Sequence, residues 1–367
     1  MFLAAPAAVQ AQSYPYFNFV TNGAGTGTAT LKKYTNNAGA GMVTVPSFVT
    51  SITNGAFDGD TSVTGVTVPS SVTNIGQFAF DGCTSLASAS IAGSVKIGQQ
   101  AFYNCSALTS VTLTAATNIG GYAFENCTLL PSITLPSTLV SIGATNAAAF
   151  DGCTSMTAIN VAAANPYFTS TNGVLFNKNL TTLVEFPGGL GGTYWIPGTV
   201  TTIGSDAFGD NFGLTNLTIP YSVTNIQATA FYYCNQLIQV NFMGNAPAND
   251  GSLFSGDTLT IYYSTNTTGW SNPWNSQTAL PWNMTMKLNA LKFPTQTNWF
   301  GFTITGPTNF NYVVQVCTNL KTQTSWTLLT TNLLTNAPGG TSGTNYFSEL
   351  GKTNVYWSGR FYNVVPQ

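Results

Sequence analysis

A chain of 367 residues with 44% hydrophobic side chains can build a sizeable core, as two domains or as one long array with an appendage. What it lacks is charge: nine Lys+Arg, eleven Asp+Glu, no His and a net charge of −2 make 5% of the residues, against roughly a quarter in an average soluble domain. That excludes nucleic acid, which needs clustered cations to displace counterions from phosphates. It also gives no purchase on an anionic membrane surface, and removes every catalytic triad or metal site that depends on histidine.

The first residues, Met1 to Ala11, combine a short apolar run with the small-residue pattern Val9-Gln10-Ala11. They read as a signal-peptide remnant (1–11) and lead to the expectation of a secreted chain. No stretch approaches the ~20 apolar residues of a membrane-spanning helix. Residues 12–45, rich in Gly, Thr and Asn, read as an N-terminal β cap.

From there self-similarity decides the fold. An Ala-Phe dipeptide recurs with Phe57, Phe80, Phe102, Phe124, Phe150, Phe208 and Phe231, at steps of 23, 22, 22, 26, 58 and 23 residues. Five residues before the anchors lie Ile52, Ile75, Ile97, Ile119, Ile203 and Ile226, with Thr145 in the unit that carries an insertion. Nine and eleven residues after come apolar pairs such as Val66/Val68, Val111/Leu113 and Leu217/Ile219, one polar residue between them. That spacing predicts a short strand with alternate side chains inward. Such a coil cannot bury its apolar face alone, and stacking sets like columns on one another as a parallel sheet at about 4.8 Å spacing. The spacing falls in the leucine-rich class of roughly 20–29 residues, and the prediction is a leucine-rich repeat solenoid over 46–289.

Val-Pro-Ser-Ser-Val-Thr-Asn-Ile-Gly-Gln-Phe-Ala-Phe-Asp-Gly-Cys-Thr-Ser-Leu, residues 68–86, closely resembles the BspA-like bacterial surface leucine-rich repeat family. The resemblance covers about residues 43–282. It extends to the divergent stretch Asn165–Gly188, which fills the 58-residue gap, and to a last coil with Phe242-Met-Gly-Asn-Ala-Pro, Ile261-Tyr-Tyr and Thr268-Gly-Trp. What it implies is a secreted or surface-anchored adhesion or recognition protein, with no particular ligand.

Cys83, Cys105, Cys127, Cys153 and Cys234 each follow an anchor by three residues, where Asp60 and Asn211 stand in the other units. A column of this kind reads as small buried hydrophobes. Adjacent coils also bring such positions near disulfide range, so a bridge such as Cys105–Cys127 stays open. Metal binding has no short Cys–Cys spacing to support it. Cys317 lies outside the array.

After about Asn289 the columns vanish and strand signals take over: Trp299–Gly306, Tyr312–Val316, Trp326–Leu329 and Arg360–Val365. Residues 290–367 read as a small all-β sandwich. Thr318-Asn319-Leu320, Trp326 and Arg360-Phe361-Tyr362 resemble a C-terminal β-module found on secreted repeat proteins of environmental bacteria. Arg360, the one arginine, either clamps a strand edge, with Glu349 the nearest acid in sequence, or stands as a solvated strand-end charge.

For function, the acids Asp58, Asp81, Glu125 and Asp151 directly follow anchors, where Asp-Gly makes a turn, so their placement belongs to the repeat and singles out no catalytic pair. The expectation is a non-enzymatic protein without cofactor or metal, binding a protein or glycan ligand. Aromatics near the anchors (Tyr103, Tyr122, Tyr232, Tyr233) and elsewhere (Tyr194, Trp195, Tyr221, with Tyr167 and Trp270) are the candidate ligand contacts; packing within the coil rim is their alternative. The other reading is structural: a self-associating surface-layer or fibre component, which low charge and an open-ended sheet permit.

Overall fold

The computed structural model describes residues 16–23, 27–35, 41–143, 148–249 and 251–281 in full. It describes the backbone alone for 282, 285–290, 300–307, 310–317, 327–334, 342–348 and 361–366. The proposed signal remnant, Thr145, Glu349, Arg360 and the Thr318-Asn319-Leu320 and Trp326 motifs lie outside the described residues, as does the side chain of Cys317. Among the described residues there is no helix.

Each coil carries two strands on opposite sides of the stack. The inward pair after each anchor forms the first: Gly41–Thr44, Val63–Val68, Ser88–Ile91 and Ser110–Leu113 pair in parallel, as do Ser132–Leu135 and Ala158–Val161. We refer to this side as the strand face. The isoleucine column forms the second, in two-residue strands such as Asn74–Ile75, Lys96–Ile97 and Asn118–Ile119. Alternation explains both. Val66, Val68, Ile91 and Leu113 are buried while Ser90, Ser110 and Thr112 are exposed. The stack begins at Ala29–Tyr34, which pairs in parallel with Val49–Ile52 and is covered on its other edge by the antiparallel strand Phe17–Thr21.

Anchor side chains form a column of rings down the axis. Phe57, Phe80, Phe102 and Phe124 are fully buried, with centroids 4.5, 4.9 and 5.1 Å apart and planes within 15°. Tyr34 extends the column at one end and Phe150 at the other, 5.0 and 5.5 Å from their neighbours. A second column runs Phe186, Phe208, Phe231, Phe254 at 4.9, 5.2 and 5.0 Å. Each buried ring contributes roughly 1.5–3 kcal/mol by leaving water. Glycine four residues before the anchor lets the coils approach: a Cβ on Gly76, Gly98 or Gly120 would lie 2.5–2.7 Å from a backbone nitrogen of the preceding coil.

The stretch between Phe150 and Phe208 resolves into a three-stranded insert. Phe168–Thr171 and Val174–Asn177 form an antiparallel hairpin, and Thr182–Glu185 pairs with the second and then in parallel with Thr202–Ile203. Alternation along Val174–Asn177 sends Leu175 into the core of the first half and Val174 and Phe176 into that of the second. One strand therefore separates two hydrophobic cores. Beyond it Gly192–Trp195, Leu214–Ile219, Gln239–Phe242, Thr260–Ser264 and Thr278–Trp282 continue the strand face in parallel.

The five column cysteines are free and buried, which rules out the Cys105–Cys127 bridge in this structure. Each does more than fill space: its thiol donates to the anchor carbonyl of the preceding coil, Cys83 to Phe57, Cys105 to Phe80, Cys127 to Phe102, Cys153 to Phe124 and Cys234 to Phe208, at 3.0–3.3 Å. Asn211 takes the place by donating to the carbonyls of Pro187 and Leu190 and accepting from the Gly213 and Leu214 amides. After the array, backbone pairing gives two antiparallel three-stranded sheets. Thr285–Ala290, Phe300–Pro307 and Ser342–Ser348 form one; Thr327–Leu334, Phe310–Cys317 and Phe361–Pro366 form the other.

Candidate functional site

The coil presents two surfaces of different chemistry. Along the turn edge, the backbone enters the left-handed region two residues before the anchor (Gly55, Phe78, Gln100, Tyr122, Asp206, Thr229) and two after (Gly59, Gly82, Asn104, Asn126, Gly152, Asp210, Tyr233). Gly, Asn and Asp dominate the second set because they tolerate that conformation. Asp58, Asp60, Asp81, Glu125, Asp151, Asp206, Asp210 and Asp257 all stand on this edge. The strand face is the opposite: none of its strands from Gly41–Thr44 to Thr278–Trp282 contains Asp, Glu, Lys or Arg.

The acids converge where the repeat is interrupted. In other coils the anchor amide donates to the next coil's carbonyl, as Phe57 to Ala79 and Phe124 to Ala149. At Phe150 the insert supplies no such carbonyl, and Glu185 replaces it: its carboxylate accepts from the amides of Phe150 at 2.7 Å and Ala149 at 3.2 Å. Asp151, also buried, has an Oδ1 without a hydrogen-bond partner among the described residues. The Tyr122 hydroxyl donates to Asp206 Oδ2 at 3.2 Å. Burial, then repulsion from Asp210, Asp206, Glu185 and Glu125, pushes Asp151 up to about 8. Burial carries Glu185 to about 7 against the opposing pull of its two amides. Glu125 rises to about 7 through burial and the charges of Asp210 and Asp206, and burial raises Asp206 and Asp210 as well. Among the described residues no three His, Cys, Asp or Glu side chains are arranged to hold a metal ion. The group joins two halves of a solenoid; Glu185 is committed to backbone amides, and Asp151 Oδ1 is buried.

The candidate aromatics do not gather in one place. Tyr103, Tyr122, Tyr232 and Tyr233 flank the anchors on the turn edge, Tyr232 and Tyr233 meeting edge to face at 4.3 Å. Tyr194 packs 4.7 Å from Phe186 against the second core, aligned with inward Leu217. Its neighbour Trp195 aligns with Thr218 and faces out from the strand face. Tyr221 sits on the loop after a strand, 78% exposed. Sequence reading passed over Tyr262 of the strand face and Glu185. Tyr262 was legible from its place between inward Ile261 and Tyr263; Glu185 carried no local signal, since its partners lie 35 and 36 residues away.

Comparison with known proteins gives a consistent result. The family model for the BspA type leucine-rich repeat region matches in six copies over residues 33–157, 95–190 and 193–270. The crystal structure of the pneumococcal vaccine antigen PcpA is similar at 18% identity, covering 70% of this chain and 88% of that one with a TM-score of 0.50. A leucine-rich repeat protein from Bacteroides ovatus is 25% identical over 69% of this chain and 70% of its own, TM-score 0.49. A leucine-rich cell surface protein from Faecalibacterium prausnitzii is 23% identical over 68% and 88%, TM-score 0.38. No curated protein matches. Stacked coils, matched columns and a family model spanning most of the array agree: the chain belongs to the BspA-type leucine-rich repeat family.

Proposed function

We propose that this protein is a secreted or cell-surface recognition scaffold, without catalytic activity, that binds protein or carbohydrate ligands through its strand face. The observation that carries the reading is the segregation of charge. Acids collect at the turns, while strand after strand of the opposite face shows only hydroxyls, amides, a few apolar groups and aromatics. Solenoids use such extended faces for binding. The acid group at the interrupted repeat fits a joint between coils better than an active site, because Glu185 accepts from two backbone amides, Asp206 from the Tyr122 hydroxyl, and Asp151 is buried. The family, the apolar N-terminal segment and the lack of charge support a location outside the cell. We also read the two three-stranded sheets after residue 284 as the halves of a small β-sandwich.

A binding screen of the full chain against extracellular matrix proteins and a glycan array tests this, repeated with Thr193→Lys and Thr260→Lys together on the strand face and with Asp81→Asn on the turn edge. The double lysine variant is expected to lose its ligands and Asp81→Asn to keep them. The reverse pattern, or hydrolysis of a screened glycan, overturns the reading.

A further inference from the structure

In the second half of the array the strand face departs from the pattern of the first. Outward positions in the first half carry mostly small groups: Gly65, Ser88, Ser110 and Ser132 in one row, Thr67, Ser90, Thr112 and Thr134 in the next, with Met42 at one end and Asn160 at the other as the larger exceptions. In the second half the corresponding rows are Thr193, Asn216, Gln239, Thr260, Thr278 and Trp195, Thr218, Asn241, Tyr262, Leu280. Trp195 and Tyr262 share a row with three strand spacings between them, about 14 Å at about 4.8 Å per strand. Thr218 and Asn241 lie between them, 6% and 3% exposed although they point away from the core. Two partly exposed aromatic side chains thus stand at either side of a covered hydroxyl and amide on the outer surface of the sheet.

The polar groups there are bifunctional. Gln239 Nε2 donates to Asn241 Oδ1 at 2.8 Å, a bond that leaves the Gln239 carbonyl oxygen and both Asn241 amide hydrogens outside it. Asn216 donates to Thr215 Oγ1, and its own Oδ1 is buried with no donor among the described residues. Amides and hydroxyls offer donors and acceptors side by side, which is what a sugar's hydroxyls, themselves both, require. Aromatic rings offer apolar faces to the C–H side of a sugar ring while their polar ends stay wet. No charge stands on these strands, so an anionic polymer gains no ion pair and a cationic one gains none either.

From these features we infer a binding site for a neutral polysaccharide on the outer surface of the strand face between Trp195 and Tyr262, with the sugar faces on the two rings and the hydroxyls on Gln239 and its row neighbours Thr193 and Thr260. The inference rests on the recognition-scaffold reading and names its ligand class and place.

The test is calorimetric titration of the full chain with neutral hexasaccharides of glucose, N-acetylglucosamine and mannose, at about 0.05 and 0.5 M salt. An anionic hexasaccharide and an extracellular matrix protein serve as comparisons. At least one neutral oligosaccharide is expected to bind with an affinity unchanged by salt. Trp195→Ala and Tyr262→Ala should each weaken it about tenfold or more, and Thr112→Ala in the first half should leave it alone. Gln239→Lys covers the case in which an aromatic variant does not fold; it should lose neutral sugar and show an unchanged melting temperature. Binding of the anionic sugar alone, affinity abolished by salt, or full affinity in folded Trp195→Ala overturns the site. Binding of the matrix protein through the strand face, with no sugar bound, overturns the site and leaves the scaffold reading standing. No binding of either kind removes both.

Discussion

Raising the pH from 5 to 8 should destabilise this protein, and the joint between its two halves gives the reason. Asp151 and Glu185 are 9% and 4% exposed, and the groups facing them are Glu125, Asp206, Asp210 and the Tyr122 hydroxyl, with no cation among the described members. Their protons are held more tightly in the folded chain than in the unfolded one. Below about pH 4 both states are protonated and the group contributes nothing. Between the ordinary carboxylate value and the raised one, the unfolded chain has released its proton and the folded chain has not, so stability falls with rising pH. Above about 7 for Glu185 and about 8 for Asp151 the full penalty is in force. At about 1.4 kcal/mol per pH unit, Glu185 alone withdraws roughly 3 kcal/mol. Asp151 adds less than its own span suggests, because part of its repulsion is the charge on Glu185. A combined loss of about 3–5 kcal/mol across the window is the expectation.

Urea unfolding at pH 5, 6, 7 and 8 measures it. Wild type should lose stability steadily over that range. Asp151→Asn should exceed wild type slightly at pH 5 and by more at pH 8, flattening the slope, since the amide cannot ionise. Glu185→Gln should be weaker than wild type at pH 5, because an amide has one acceptor oxygen for two backbone amides, and should approach it at pH 8. Equal stability at pH 5 and 8, or an Asp151→Asn variant with the wild-type slope, refutes the placement of these charges.

Three further outcomes follow from the coil. Gln100 holds a left-handed backbone at φ 53°, so Gln100→Gly should raise stability by about 1 kcal/mol in chemical denaturation. Gly98→Ala puts a Cβ 2.7 Å from the Gln77 nitrogen and should cost about 1–3 kcal/mol; a neutral result shows that the coils can slide apart. Burial lifts the Cys83 thiol to about 12 and holds Cys105, Cys127 and Cys234 well above their ordinary range. All four should therefore stay unmodified by iodoacetamide at pH 8 in the native protein and react in denaturant; mass spectrometry showing native alkylation of any of them contradicts the buried column.

Most of the coil was legible because stacking repeats its demands. The columns of Phe, Ile and paired Val, Leu or Ile follow from one requirement: like side chains must lie over like. Tyr34, Phe186 and Phe254 continue the ring columns yet escaped the pattern, because Lys33, Glu185 and Leu253 stand where the alanine of the anchor dipeptide does. The cysteine column was readable as small and buried, but its bonds to carbonyls one coil earlier were not, since a column states position and not direction. Distance from an anchor likewise located Tyr194 and Trp195 without saying that the first faces the core and the second does not; only the strand register decides that. The acid group was the least legible feature. It forms where periodicity fails and brings Glu125, Asp151, Glu185 and the Asp206/Asp210 pair together from four coils.

The lack of charge on the strand face has a partly architectural origin, and this bears on which residues can be assigned to recognition. A charge repeated in one column meets its own sign at about 4.8 Å in the next coil, which costs on the order of 1 kcal/mol per contact in water and more where solvent is excluded. Serine, threonine, asparagine and glutamine avoid that cost, because each can donate to its neighbour and accept from the other side. Hydroxyl rows such as Ser90, Thr112 and Thr134 are therefore what stacking alone selects. Stacking does not select an outward Trp195 or Tyr262: Trp195 aligns with Thr218, and Tyr262 lies between Asn241 and Leu280, so neither aligns with another ring. An outward ring is a departure that stacking does not require, and the two rings are why the proposed site is placed in the second half of the array.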